Sequence, residues 1–251
     1  MSSRKNRSIH FWRKGMLEGL KDLAKVFSVN ASYAKFVEFA ELREKGLRKS
    51  ALNTLAEFIG SMKERPFAER KDFVSLFCET SLKWHRDSYL FSPQPLVEEL
   101  IRPTTLEWIS EEPENPLAFR WAGVYCNGDW EEQNHYFRKA TELDPSEDYS
   151  RSKIIDNLLN EPDYSTHHLN ESMYLGEPNK DLKFLAEAKI EVSKLKDPES
   201  AEYWTKEIDE YESMIRDWIE YSSKDRRISF PKFTKEKGRD YGWSEACYFN
   251  K

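Results

Sequence analysis

Little in this sequence makes tight turns, forms cross-links or crosses a membrane. Glycine is scarce, nine of 251 residues, which leaves few positions for the close hairpins that join β-strands. No stretch alternates apolar and polar residues with β-branched enrichment, so no sheet is predicted. No apolar run of about 18 residues occurs, which excludes a helical membrane span. The basic start, Met1 to Arg13, is not followed by an apolar stretch of roughly 7–15 residues, so no secretory leader is expected. The three cysteines, Cys78, Cys126 and Cys247, lie far apart with no CxxC. That pattern excludes a disulfide framework and suits free thiols in a reducing cytosol, so a soluble, cytoplasmic protein is expected. Glycine-rich phosphate loops and the GxSxG and HExxH patterns are missing as well.

What the chain does have is charge and aromatic surface. Charged residues make up 33% and aromatics 14%, with eight Trp; a disordered chain has few aromatics, and such a mixture suits amphipathic helices with one buried stripe each. Most of the prolines stand between segments of helical periodicity, among them Pro66, Pro93, Pro103, Pro145, Pro162 and Pro198. Proline breaks a helix interior but is accepted in a first turn, so these positions read as helix boundaries. The resulting expectation is helices near 12–28, 31–45, 48–64, 68–86, 95–110, 116–127, 129–143, 147–159, 179–196 and 199–222. The fold class is therefore all-α, built from stacked antiparallel helix hairpins. Residues 1–222 form a single stack and 223–251 a basic, aromatic C-terminal arm.

The last hairpin is the clearest. Trp204, Ile208, Tyr211, Ile215 and Trp218 make one seam, and Leu185, Ala188, Val192 and Leu195 make another on the helix before it. Asp197 can cap the second helix with Pro198 in its first position. The same seam would also serve as a coiled-coil face toward another chain. The polar segment 160–178, with His167 and His168, reads as a loop. Beyond Tyr221 the tail carries eight basic and four acidic residues from Lys224 onward, interleaved with Phe230, Phe233, Tyr241, Trp243, Tyr248 and Phe249. So much apolar surface is expected to strap over the helices; contact with a partner or nucleic acid is the alternative.

Net charge is −6, but unevenly spread. Residues 1–100 carry 18 Lys+Arg against 13 Asp+Glu, and residues 101–251 carry 21 against 32. Acid concentrates between Glu107 and Glu177, with 16 acidic and five basic residues. Such a region repels nucleic acid and attracts basic partners.

Chemistry is harder to find. Glu132 and His135 form one Glu-x-x-His, the spacing used in di-iron bundles, but no second copy accompanies it. His167, His168, Asp163 and Glu171 have the donor types of a metal site, though adjacent histidines on a loop point apart. Cys78 and His85 share a helix face about 10 Å apart, too far to pair directly. No metal or cofactor is expected.

The stretch Glu114 to Pro145 reads ENPLAFRWAGVYCNGDWEEQNHYFRKATELDP. With Gly128-Asp129-Trp130 at the turn, then Phe137, Ala140, Leu143 and a closing Asp144-Pro145, it resembles a tetratricopeptide repeat. It departs from the family where Trp121 and Gln133 replace small residues. A weaker copy at 32–62 keeps Gly46, Ala51 and Leu55 but has Phe58 in place of the usual Ala. The resemblance implies a right-handed stack of helix pairs that binds peptides or protein surfaces on a concave face, with no catalytic residues. The partner-binding candidates are accordingly Trp121, Tyr125, Asp129, Glu131, Glu132, His135 and Glu142, facing a basic peptide or protein. Two other functions remain open: an immunity or antitoxin protein that neutralises a toxin, and a helical enzyme with a pocket around Trp121, Tyr125 and His135.

Overall fold

A computed structural model describes residues 18–82, 92–126, 128, 130–224 and 227–242. Among them every regular element is helical and no strand occurs. The chain divides into two compact units, Met1–Asn127 and Gly128–Lys251.

The first unit contains α1 (Glu18–Phe27), α2 (Ala34–Glu44), α3 (Arg48–Lys63) and α4 (Phe67–Leu82). A continuous α5 follows, made of Gln94–Leu96, Val97–Ile101 and Arg102–Glu111, and then α6 (Pro116–Tyr125). Helix α2 packs on α1 and α3, α4 packs on α1 and α5, and α6 packs on α5. The joints follow local chemistry. Gly46 ends α2 with a φ of 75°, a left-handed conformation that costs glycine nothing. Asn115 accepts a hydrogen bond from the Leu117 amide and Pro116 opens α6. The core is aromatic: Phe73 meets the rings of Phe27, Tyr33, Phe36 and Phe58 at 5.3, 5.4, 5.1 and 4.9 Å between centroids. Tilted and edge-on geometries of this kind suit ring quadrupoles. Glu112 gathers α4, α5 and the start of α6. It accepts hydrogen bonds from Lys71, from Trp108 Nε1 at 2.8 Å and from Asn115 Nδ2 at 2.8 Å.

Pro103 is not a boundary. It lies inside α5, directly after Val97–Ile101, which winds as a π-turn with the Arg102 amide bonded to the Val97 carbonyl. The wider turn gives room to a ring that would otherwise press on the carbonyl four residues earlier.

The second unit contains α7 (Trp130–Leu143), α8 (Asp148–Thr166), α9 (Pro178–Val192), α10 (Pro198–Ser222) and α11 (Phe230–Glu236). Helix α8 packs on α7, α9 and α10, α9 packs on α10, and α11 packs on α10 and on the short turn Leu169–Glu171. Asp197 accepts from the Ser200 amide at 2.9 Å, and Pro198 takes the first position of α10. Asp148, at the start of α8, accepts the amides of Lys196 and Asp197, clamping the turn between α9 and α10.

Here too a proline was misleading. α8 runs through Pro162 to Thr166, so the expected loop at 160–178 contracts to the residues between α8 and α9. Leu158, Leu159, Pro162, Ser165 and Thr166 are all buried, and Thr166 Oγ1 donates to the Pro162 carbonyl at 2.8 Å. Tertiary burial on both sides of the proline outweighs the lost backbone bond.

Candidate functional site

The residues singled out in the sequence fall in both units. Trp121 is fully buried in the core of the first unit, and Tyr125 lies partly buried beside Ser81, the two hydroxyls 3.0 Å apart. Asp129 and His85 lie outside the described residues. In the second unit Glu131, His135 and Glu142 are exposed and Glu132 half-buried along α7. Their spacing places Glu131, His135, Arg138 and Glu142 on one stripe, about 16 Å long at a helix's 1.5 Å rise per residue. Basic residues interrupt it: Lys139 pairs with Glu142 at 3.4 Å, and Arg138 reaches Glu187 on α9.

Among the described residues, the histidines and Cys78 form no constellation either. His168 meets Glu171 at 3.2 Å, and Asp163 accepts instead from the Tyr211 hydroxyl at 2.6 Å. Among the described residues no group of three or more His, Cys, Asp or Glu could hold a metal ion. Burial pushes the Cys78 thiol well above its ordinary pKa, so it stays protonated and unreactive.

A denser arrangement lies along α10. That helix carries eight acidic residues against Lys206 and Arg216. Its buried stripe is apolar, Ile208, Tyr211, Met214, Ile215, Trp218 and Tyr221, and Asp217 is set among these positions with a side chain 1% exposed. A carboxylate so desolvated requires ionic or hydrogen-bonding partners. The tail supplies them. Lys237 Nζ donates to Asp217 Oδ1 at 2.7 Å, Arg239 to the same oxygen at 2.8 Å, and the Tyr241 hydroxyl to Oδ2 at 2.7 Å. Lys237 also reaches Glu220 at 2.5 Å, and Lys224 meets Glu220 from the end of α10.

The tail is brought there by its own sequence. Phe230 and Phe233 are buried against Trp218 and Tyr221, with Phe230 5.4 Å from each ring. The Tyr221 hydroxyl donates to the Ile228 carbonyl at 2.9 Å. Ser172, left-handed at φ 61°, accepts the Phe230 amide at 2.8 Å. Gly238 then ends α11 at φ 73° and turns the chain back, so that Arg239 and Tyr241 reach Asp217.

Charge pairing is reflected in the ionisation. Hydrogen bonds from Lys224 and Lys237 hold the Glu220 carboxyl at about 2. Hydrogen bonds to Asp217 and Glu220 raise Lys237, and burial with a hydrogen bond to Asp217 raises Tyr241. About one to two turns toward the N-terminus of α10, Asp209 and Glu212 meet Lys189 of α9 at 3.0 and 2.5 Å. Asp209, Glu212, Ser213, Arg216, Asp217 and Glu220, with Lys237 and Arg239, line an open cleft of about 500 Å³. Here the set holds the cationic segment Lys237 to Tyr241 of the same chain.

Sequence reasoning missed Asp217, Glu220, Lys237, Arg239 and Tyr241 as a group. The available signal was an acid inside the apolar stripe of α10, together with the basic, aromatic tail. No described helix is long and apolar enough to cross a membrane. Comparison of the chain with protein-family models, with curated proteins and with solved structures returned no match.

Proposed function

We propose that this protein is an interaction module that binds a basic peptide or protein segment on an acidic helical surface of its second unit. The observation supporting this is the seating of Lys237, Arg239 and Tyr241 on Asp217 and Glu220 of α10. A surface that orders a basic segment of its own chain has the charge and shape to accept one from elsewhere. The exposed Glu131 and Glu142 of α7 and the acidic N-terminal half of α10 add attraction of the same sign. The reading also keeps the helical-hairpin stack as its scaffold, supported by the packing of α7 on α8, α8 on α9 and α9 on α10. A cytoplasmic setting fits it, and no catalytic step is part of it.

A direct test is fluorescence anisotropy of the full chain with a labelled Lys/Arg-rich peptide and an acidic peptide of equal length. The basic peptide is expected to saturate and to weaken steeply with salt. Charge reversal at Glu131, Glu142, Glu207 and Glu210 should reduce its affinity without altering the circular dichroism spectrum. Equal binding of both peptides, or none of the basic one at low salt, would refute the proposal.

A further inference from the structure

The segment that forms one wall of the α10 cleft differs from the element that carries it. Helix α11 is anchored by buried aromatic rings, Phe230 and Phe233. Beyond it, residues 237–240 are exposed, and Lys237, Arg239 and Tyr241 make polar contacts with Asp217 and Glu220 of α10. Gly238, at φ 73°, turns the chain between Lys237 at the end of α11 and Arg239. Lys237 also lies over the Phe233 ring at 5.3 Å, and the outer segment covers a carboxylate that is 1% exposed.

We infer that residues 237–241 are a self-ligand: a strap that covers Asp217 and Glu220 at the wall of the α10 cleft and that an incoming basic segment must displace from them. This inference rests on the proposed function and names both its regulation and the kind of partner it takes. The cognate segment carries two cations and a phenol at the spacing Lys-x-Arg-x-Tyr, because those three groups satisfy Asp217 and Glu220 together. Its apparent affinity is reduced by the fraction of molecules in which the strap is seated. Whatever weakens the strap, such as a charge-altering modification of Tyr241 that sets anion against Asp217, raises affinity for the partner.

The test uses the full chain and a fluorescein-labelled peptide with the sequence of residues 234–242. Three proteins are compared: the native chain, Lys237→Ala/Arg239→Ala, and a charge-matched control, Lys183→Ala/Lys232→Ala, whose exposed lysines lie outside the cleft. The expected result is binding at least about tenfold tighter to the strap variant, native affinity in the control, and loss of the gain when Asp217→Asn is added. Circular dichroism and Tm verify that each variant is folded. If it unfolds, Lys237→Gln/Arg239→Gln replaces it, with the same gain expected. Equal affinity of all folded variants overturns the strap while leaving the binding function standing. Equal gain in the control reduces the effect to net charge and also overturns it. Absence of binding to every protein overturns both.

Discussion

Arg151 on α8 and Glu191 on α9 form an ion pair at 2.7 Å with side chains only 5% and 7% exposed. Arg151 also donates to the Pro145 carbonyl at 3.2 Å, and Glu191 accepts from Lys194 at 2.9 Å. Burial alone pushes the Glu191 carboxyl up, but Lys194 and Arg151 outweigh it and hold it below its ordinary value. The perturbation is Glu191→Gln, which keeps shape and removes charge. It strands a guanidinium that is nearly out of water, and breaking a buried pair from one side costs about 3–5 kcal/mol. Replacing both partners with methionine removes the desolvation penalty with the pair, so Arg151→Met/Glu191→Met should cost under about 2 kcal/mol. Equilibrium denaturation followed by far-UV circular dichroism gives both values and, with Arg151→Met, the coupling energy. A Glu191→Gln cost below about 1 kcal/mol, or a double variant no more stable than the single one, would refute this account of the α8–α9 contact.

Other consequences are equally direct. Hydrogen bonds from Lys71, Trp108 and Asn115 lower the Glu112 carboxyl to about 2. A depressed carboxyl stabilises the fold above its unfolded pKa, near 4.3, and that stabilisation fades as pH falls toward 2. With the side chain 35% exposed, solvent screening limits it to about 1 kcal/mol; acid titration of native protein and Glu112→Gln should converge near pH 2 and part above pH 5. Phe73→Ala should cost about 3–5 kcal/mol in denaturant titration and Phe73→Leu clearly less, because leucine refills most of the volume but loses the ring pairs. Near-equal costs would show that ring geometry contributes little. At Gly176 a Cβ would stand 3.0 Å from Ser165 Cβ and 2.0 Å from its Oγ, whereas at Gly60 in α3 it would meet nothing within 4 Å. Gly176→Ala should therefore lower Tm, and Gly60→Ala should raise stability by roughly 0.5–1 kcal/mol through reduced chain entropy.

The helices up to α10 were legible from apolar residues at helical spacing, α11 was not, and Asp197-Pro198 announced the start of α10 through local hydrogen-bond chemistry alone. Pro103 and Pro162 were not legible as interior residues. Local rules assign proline to boundaries, and only burial of the flanking turns on neighbouring helices reverses that preference. The candidate site was half visible. A basic, aromatic tail and an acidic long helix both stand out in the sequence, but their meeting depends on Gly238 and Ser172 turning the backbone left-handed. Acid density drew attention to α7, where Arg138 and Lys139 interrupt the negative stripe. Asp217, a single acid in the apolar seam of α10, is a buried charge, and such a charge must find partners.

The π-turn in α5 ties two properties of the chain that are otherwise independent, its length and one amino-acid identity. Val97–Ile101 holds one residue more than ordinary winding needs. Deleting that residue would return the helix to regular pitch over nearly the same span, and Pro103 would then lose the room it occupies. Variants shortened by one residue in this turn should fold only when Pro103 is replaced as well. Among descendants of this sequence, that deletion and that substitution should be inherited together.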